Sequence, residues 1–235
     1  MTRRRFIADE FISGRAALTG LHAAHVSRVL RARVGQEFDI AAGGEVRLGR
    51  IIAVTDDRVE FELGDAVSEQ AIRPITLALA VFKFDRFEWA IEKCTELGAS
   101  QVIPVIARRT DTHLAHAGEK RVERWRRIAR EASQQSRRTA VPDIADPRKL
   151  KSFLAAPQPS RRIILAEKEN QVQLADVGGG SDPIALAIGP EGGWAEEEIL
   201  MFSTAGWQAA SLGPTILRAE TAAIAALAIV QSLSN

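Results

Sequence analysis

Two glycine-containing segments near the C-terminus hold residue types that could bind a ligand and act on it. The first, Ile188–Trp194, reads IGPEGGW, and its three glycines fall within five residues, 189–193. Glycine has no Cβ atom, so a ligand can approach the backbone closely, and Pro190 stiffens the turn. The segment therefore predicts a bed of backbone groups for a ligand. A tight turn between a strand and a helix explains the glycines equally well.

The residues after this loop disfavour a phosphate as the ligand. Glu196, Glu197 and Glu198 crowd the start of a predicted helix, where carboxylates favour the positive end of the helix dipole. The loop also matches neither the dinucleotide-binding pattern G-x-G-x-x-G nor a Walker A motif. A nucleoside-like ligand held by backbone groups fits this loop better.

The second segment, Leu212–Ala222, reads LGPTILRAETA and leads into an alanine-rich helix. This helix is apolar on every side, so we expect it to be buried, in part within its domain and in part against a second subunit. Arg218 and Glu220 lie at the start of that helix in an otherwise apolar neighbourhood. Charges in such a place are expected to be paired or functional. A structural pair that pins the helix and a pair that takes part in chemistry remain equally open.

A third candidate region is basic. Lys120–Arg138 holds eight basic and two acidic residues, although the whole chain has a net charge of only +1. Such a cluster is a candidate contact for nucleic-acid phosphates. The alternative is a solvated helix face, which most charge runs form.

The remaining reactive side chains point to structural roles. His113 and His116 have a spacing that could bind a metal ion, but no carboxylate or thiol cluster surrounds them, so we expect no metal. Cys94 lies on the apolar stripe of a predicted helix and is interpreted as core packing. Trp194 is interpreted as packing rather than as a stacking platform for a base.

The composition of the chain limits the classes of protein to which it could belong. The chain has 235 residues, of which 46% are hydrophobic and 26% charged, as in an ordinary folded protein. The longest apolar run, Ala222–Val230, is shorter than the ~20 residues that span a bilayer, and the N-terminus does not resemble a secretory signal. A single cysteine suits a reducing compartment, so we expect a cytoplasmic protein.

The pattern of elements predicts two domains, 1–72 and 73–235, with the boundary just before Pro74. In the first domain, the turn dipeptides Gly43-Gly44 and Asp56-Asp57 separate short alternating runs and predict a small β-barrel or meander. His22–Arg31 is predicted to form a short helix. In the second, strands alternate with helices, which predicts an α/β sheet with mostly parallel strands. The predicted strands are Ile75–Phe82, Gln101–Ala107, Arg162–Ala166, Ile184–Ile188 and Ala209–Leu212; the predicted helices are Asp85–Leu97, Lys120–Arg138, Arg148–Ala156, Ala195–Ala205 and Arg218–Ser232.

Several motifs in one order carry a resemblance to a known family. The two C-terminal segments, together with His25–Arg31 before Gly35, Glu92–Gly98 before Pro104, and Glu131–Arg137 before Pro142, resemble the RsmE family of bacterial 16S ribosomal RNA uridine-N3 methyltransferases. Arg108 and Arg109 also fit its pattern. Gln134 and Thr215 depart from it, since the family usually has glutamate and a basic residue there.

The resemblance implies a fold and a cofactor. It implies an N-terminal PUA-like β-barrel that binds RNA, a C-terminal α/β domain of the SPOUT class with a trefoil knot, and a homodimer. The cofactor is S-adenosylmethionine, and the substrate is 16S ribosomal RNA or the small ribosomal subunit, with no membrane partner. The cofactor-binding residues implied are Leu165, Leu186, Ile188, Gly189, Pro190, Glu191, Gly192, Gly193, Leu212, Gly213, Ile216, Leu217 and Arg218.

The resemblance also implies roles for charged residues. Deprotonation of uracil N3 spreads negative charge onto O2 and O4, and Arg218 is the candidate cation that stabilises it. Glu220 could orient Arg218 or accept the proton; orientation is favoured because an ion-paired carboxylate is a poor base. The candidate RNA contacts are Arg28, Arg31, Arg124, Arg127 and Arg137.

Three other functions remain open. A methyltransferase of the same class could act on another RNA, such as transfer RNA. A ribosome-assembly factor could keep the fold and bind RNA without catalysis. A different nucleotide enzyme could use the glycine loop for phosphate, which Glu196–Glu198 disfavour.

Overall fold

A computed structural model describes residues 4–67 and 73–234. The described chain forms two compact units. The first comprises the residues up to 67 together with Ser133–Val141, and the second comprises 73–132 and 142–234. The domain boundary expected between residues 72 and 73 stays a prediction, and the grouping of Ser133–Val141 with the first unit was not predicted. No helix of the described residues is long and apolar enough to cross a membrane.

The first unit is built on one six-stranded sheet. Its elements are β1 (Arg5–Ile7), β2 (Glu10–Ile12), β3 (Arg15–Thr19), α1 (Gly20–Ala24), a π-helical turn (His25–Val29), β4 (Glu37–Ala42), β5 (Glu45–Val54) and β6 (Arg58–Ala66). The strand order is β1-β4-β5-β6-β3-β2. Only the pairing of β1 with β4 is parallel, and β4, β5 and β6 form the predicted meander.

Local sequence explains where these elements end. Gly43 and Gly44 have φ angles of 60° and 85°, which favour glycine, and they turn β4 into β5. Fully buried Leu18, Ile40 and Phe61 form part of the core on one side of the sheet. The helix predicted over 22–31 is instead split into α1 and the π-helical turn.

The second unit holds a seven-stranded sheet in which every pairing is parallel. Its elements are β7 (Ile75–Ala80), α2 (Phe84–Glu96), β8 (Gln101–Ile106), α3 (Thr112–Gly118), a 3-10 turn (Glu119–Arg121), α4 (Val122–Gln135), β9 (Asp143–Ile144), β10 (Arg148–Lys149), α5 (Leu150–Ala155), β11 (Arg161–Leu165), α6 (Leu174–Val177), β12 (Ile184–Ile188), α7 (Glu196–Thr204), β13 (Gln208–Ala210) and α8 (Ala219–Ser232). The order is β10-β8-β7-β12-β11-β13, and β9 pairs with β8. The predicted α/β class with a parallel sheet is confirmed.

Some boundaries differ from the predictions for local reasons. The helix predicted to run to Arg138 ends at Gln135, and Arg137 beyond it has a φ angle of 58°. The helix predicted from Arg148 begins only at Leu150, because Arg148 and Lys149 pair with β8. Helix α3 was not predicted.

Helix α8 is enclosed on one side in the single chain. Thr221, Ala228 and Ser232 are exposed, so the burial expected against a second subunit stays a prediction. Ala223, Ala226 and Leu227 on the other face are fully buried. One face of α8 therefore packs on the second unit, and the other remains on its surface.

The core of the second unit explains the residues assigned to packing. Cys94 is fully buried on α2, and burial raises the pKa of its thiol to about 12, so it forms almost no thiolate at neutral pH. Trp194 and Phe202 lie 4.8 Å apart between ring centroids, and Trp207 extends this aromatic cluster. The interpretation of Cys94 and Trp194 as packing residues agrees with their burial.

Candidate functional site

The segments that follow three neighbouring parallel strands, β12, β11 and β13, form the candidate site. β12 lies between β7 and β11, and β11 also pairs with β13. All five residues of β12 are buried, so its position is fixed by packing on both faces of the sheet. Because the strands are parallel, their carboxyl ends meet at one edge of the sheet, where open α/β folds bind ligands.

A cavity that is partly open to solvent lies at that edge. The segments that follow β11, β12 and β13 all contribute to its walls. The lining residues are Arg109, Leu165, Ala166, Glu167, Lys168, Ile188, Gly189, Pro190, Glu191, Gly192, Gly193, Trp194, Ile199, Ala210, Ser211, Leu212, Gly213, Pro214, Thr215, Ile216, Leu217, Ala219 and Ala222.

The cavity brings together nearly all the residues expected to bind the cofactor. The exceptions are Leu186 and Arg218, which are not among the lining residues. Leu186 is fully buried in the middle of β12, two residues before the strand ends. Arg218 is exposed and forms the N-cap position of α8. Thr215, one of the departures from the family pattern, does line the cavity.

The glycine loop after β12 has the shape that its sequence requires. A Cβ atom on Gly189 would lie 3.2 Å from Trp194 Nε1, which is closer than most Cβ contacts, so the indole would have to move by a few tenths of an ångström. Gly193 has a φ angle of 69°, which other residues rarely adopt. Gly192 lies beside the side chain of Arg109, which donates a hydrogen bond to the Gly192 carbonyl oxygen. The loop thus presents backbone rather than side chains to the cavity.

The three glutamates at the start of α7 each have a partner. The Glu198 carboxylate is buried and accepts hydrogen bonds from the backbone N–H groups of Ala195, at 2.9 Å, and Arg108, at 2.8 Å. Glu197 pairs with the Arg108 side chain. Glu196 accepts from Lys168 at 2.8 Å, and this contact lowers the pKa of the Glu196 carboxyl. These contacts tie α7 to the segments after β8 and β11.

The segment after β11 is ordered by its own acidic residue. The backbone N–H groups of Gln171 and Val172 donate to the Glu169 carboxylate and lower its pKa. The backbone of Ser211 then pairs with this segment, donating to Val172 and accepting from Leu174. The segments after β11 and β13 are therefore joined at the cavity wall.

The pairing expected between Arg218 and Glu220 is not found among the described residues. Glu220 is buried, and its Oε1 atom lies 3.7 Å from Arg86 Nε on α2. Arg86 Nη1 also donates to Glu191 Oε1 at 2.9 Å. Glu220 is buried and faces Arg86 on α2, whereas Arg218, at the N-cap position of α8, is exposed.

The candidate RNA contacts of the second unit are largely occupied by carboxylates. Arg124 Nε lies 2.8 Å from Glu88 Oε1, which Arg121 also approaches at 3.4 Å. Arg127 Nε lies 3.9 Å from Glu131. Both predicted arginines are exposed, and two arginines share Glu88, so α4 keeps an excess of positive charge.

Two of the three candidate RNA contacts of the first unit have an unusual backbone conformation. Arg31 and Arg137 have φ angles of 50° and 58° and are, within residues 4–67 and 73–234, the non-glycine residues in the left-handed region. Both side chains are exposed, and the carbonyl oxygen of Arg137 accepts a hydrogen bond from Arg5 Nη1. Arg28 is exposed and pairs with Asp56 at 2.8 Å.

Sequence reasoning about single residues missed several members of the site. Arg109, Glu167 and Lys168 are charged residues on the cavity wall, and Arg86 reaches two acidic residues beside it. Their signal was weak because each follows a strand or opens a helix without a distinctive motif of its own.

The histidines considered as metal ligands lie on α3. His116 Nδ1 bonds to the Thr112 carbonyl oxygen, and the described residues hold no group of three or more metal-ligating side chains.

The cavity suits a nucleoside with a charged tail. Leu165, Ile188 and Leu217 supply apolar walls, and the glycine loop supplies accessible backbone groups. Near the glycine pair lie charges of opposite sign: Arg109 is beside Gly192, and the Glu167 carboxylate is 3.7 Å from where a Cβ atom of Gly193 would be. Such a combination of apolar surface and few polar groups is typical of cofactor sites.

Comparisons with known proteins agree with this geometry. The sequence model of the family described as RNA methyltransferase domain matches residues 68–231. A ribosomal RNA small subunit methyltransferase E of Synechocystis is 35% identical, over 99% of this chain and 78% of the relative. Its counterpart in Bacillus subtilis is 31% identical, over 91% of this chain and 88% of the relative.

A solved structure gives the same result. The ribosomal RNA small subunit methyltransferase E of Neisseria gonorrhoeae, crystallised bound to S-adenosyl methionine, has a TM-score of 0.86 and 30% identity, over 99% of this chain and 98% of that chain. The resemblance found in the motifs is thereby confirmed over the full length. This chain belongs to the RNA methyltransferase domain family, together with the proteins named ribosomal RNA small subunit methyltransferase E.

Proposed function

We propose that this protein transfers a methyl group from S-adenosylmethionine to N3 of a uridine in 16S ribosomal RNA. The observation that carries the proposal is the cavity at the carboxyl ends of β11, β12 and β13, floored by the glycine loop Gly189–Gly193. Relatives of at least 30% identity over nearly the whole chain are named ribosomal RNA small subunit methyltransferase E. Ribosomal RNA as substrate implies that the enzyme works in the cytoplasm.

The cavity residues divide into walls and polar contacts for the cofactor. Leu165, Ile188, Leu212, Ile216 and Leu217 supply the apolar surface, while Gly189–Gly193 and Gly213 supply backbone donors and acceptors. Leu186 supports the floor from within β12. S-adenosylmethionine supplies an activated methyl group, so the protein has to align the uracil and help remove its N3 proton.

Arg218 is the proposed cation for the uracil. Its side chain is exposed beside the segment Leu212–Leu217, and within the described residues it has no ion pair. A guanidinium at this rim is free to meet a base that enters from solvent, where it would stabilise negative charge on O2 and O4. Glu220 faces Arg86 instead and contributes to the site through that contact.

RNA contacts come from arginines on each unit. Arg124 and Arg127 on α4 supply phosphate contacts in the second unit, and Arg28, Arg31 and Arg137 supply them in the first. Exposed arginines suit this role because RNA binding depends on neutralising phosphates. The six-stranded sheet of the first unit corresponds, in this proposal, to the PUA-like barrel, and the segments around the cavity to the SPOUT knot.

A glycine substitution tests the cofactor floor. Gly193→Ala places a Cβ atom at a φ angle of 69° on the cavity wall. We therefore expect the dissociation constant for S-adenosylmethionine, measured by calorimetry, to rise at least tenfold. Gly44→Ala is the matched control, since Gly44 has a φ angle of 85° with open space around it, in the first unit. Equal cofactor affinity in both variants would refute the floor assignment.

Removal of the proposed cation tests the reaction. We expect Arg218→Ala to reduce methyl transfer to undermethylated small subunits by about a hundredfold, with little change in cofactor affinity. Mass spectrometry of 3-methyluridine in the ribosomal RNA measures the product. Lys151→Ala, which removes an exposed cation outside the cavity, should keep normal transfer. Normal transfer by Arg218→Ala would remove Arg218 from the mechanism.

Replacing Arg31 or Arg137, both of which have a left-handed backbone, should affect stability and RNA affinity in opposite directions. A non-glycine residue in this region costs about 1 kcal/mol, so Arg31→Gly and Arg137→Gly should leave the free energy of unfolding unchanged or higher. RNA affinity should fall, with a shallower salt dependence, because a phosphate contact is lost. Urea unfolding and filter binding at several salt concentrations measure the two effects. Unaltered RNA binding would assign these arginines a purely structural role.

Association in solution tests the proposed homodimer. The exposed face of α8, around Ala225 and Ala228, carries small and apolar residues with no charge. Such a face is suited to close packing against a second copy. Light scattering should give twice the mass of one chain, and Ala228→Arg should halve it. A wild-type monomer at micromolar concentration would contradict the dimer.

A further inference from the structure

Two carboxylates from two different cavity segments converge on one arginine. Arg86, in the first turn of α2, donates from Nη1 to Glu191 Oε1 at 2.9 Å. Its Nε atom lies 3.7 Å from Oε1 of Glu220. Glu191 belongs to the glycine loop after β12, and Glu220 to the first turn of α8. One guanidinium thus bridges the two segments expected to enclose the cofactor.

The environment of Glu220 makes this bridge important. Its side chain is only 7% exposed, and its Oε2 atom is buried with no hydrogen-bond partner within the described residues. A buried carboxylate needs an opposite charge, and removal of that charge is far more disruptive than loss of a surface pair. Arg86 is the cation that the structure provides for it.

Helix α2 is a firm support for this arginine. Phe87, Ile91 and Cys94 on its inner face are fully buried, so the helix cannot shift without disturbing the core. Arg86 itself is not a lining residue of the cavity, whereas its partner Glu191 is. Any influence of Arg86 on the shape of the cavity therefore passes through the segments that it holds.

We propose that Arg86 is a positioning residue that fixes the glycine loop and the start of α8 relative to one another and so sets the geometry of the cofactor cavity. Without it, Glu191 and Glu220 would repel each other and the two segments would separate. The proposal rests on the proposed function, because it takes the cavity to be the S-adenosylmethionine site.

The charge of the cofactor separates this role from a simple electrostatic one. S-adenosylmethionine carries a positive sulfonium, which its product S-adenosylhomocysteine lacks. Loss of a nearby positive charge alone would strengthen binding of the cation and leave the product unaffected. Loss of cavity geometry would weaken both ligands to a similar degree. The two explanations therefore predict changes of opposite sign for S-adenosylmethionine.

The test compares three variants by calorimetry with both ligands. We expect Arg86→Gln to raise the dissociation constants of both about tenfold, and Arg86→Lys, which keeps the charge, to recover part of the loss. Lys93→Gln is the matched control, because Lys93 lies on the same helix and pairs with two carboxylates, Glu92 and Glu96, of that helix. It should bind both ligands as the wild type does.

A double variant shows whether Arg86 acts through Glu191. If it does, Arg86→Gln combined with Glu191→Gln should bind no more weakly than Arg86→Gln alone. Unchanged affinities in Arg86→Gln, or tighter binding of S-adenosylmethionine only, would overturn the proposal. If Arg86→Gln does not fold, the dissociation constants of both ligands are compared between Arg86→Lys and the wild type, and a rise in both supports the proposal. A wild-type protein that binds neither ligand would instead refute the proposed function.

Discussion

The in-register parallel pairing of β12 with β7 and β11 is the constraint on which the candidate site depends. Ile188, the last residue of β12, pairs with Leu79, while Ile164 pairs with Ala187 and Leu165 with Ala210 of β13. This register brings the ends of three strands to one edge, so three segments distant in sequence share one cavity. The alternation of large Ile184, Leu186 and Ile188 with small Ala185 and Ala187 supports this register, because a one-residue slip would exchange large and small side chains between the two packed faces of the sheet.

Charged contacts then give shape to segments that have little apolar surface of their own. The glycine loop cannot be held by side-chain packing alone, and it is tied at Gly192 by Arg109 and at Glu191 by Arg86. Buried Glu198 joins α7 to the end of β8. A floor made of glycine is thus kept in place by ionic and hydrogen-bonded contacts from neighbouring elements, which leaves its backbone accessible to a ligand.

The elements that sequence reasoning predicted well are those with a local cause. The continuous apolar run of Ile184–Ile188 and the turn at Gly43 and Gly44 needed no knowledge of distant residues, and both are found. The helix over 120–138 was predicted too long, because the left-handed backbone of Arg137 leaves no signature in composition. Helix α3 was missed because its seven residues lack an apolar stripe that stands out from the flanking loops.

The sequence by itself determined the class of the fold, the glycine loop and the family, because strand alternation, missing Cβ atoms and ordered motifs are properties of local sequence. Only the tertiary structure decided which charges meet. It paired Glu220 with Arg86 rather than with Arg218, and it placed Arg109 on the cavity wall. The physical reason is that an ion pair depends on the positions of two atoms within 4 Å, and the packing of α2 against α8 sets those positions across more than a hundred residues of chain.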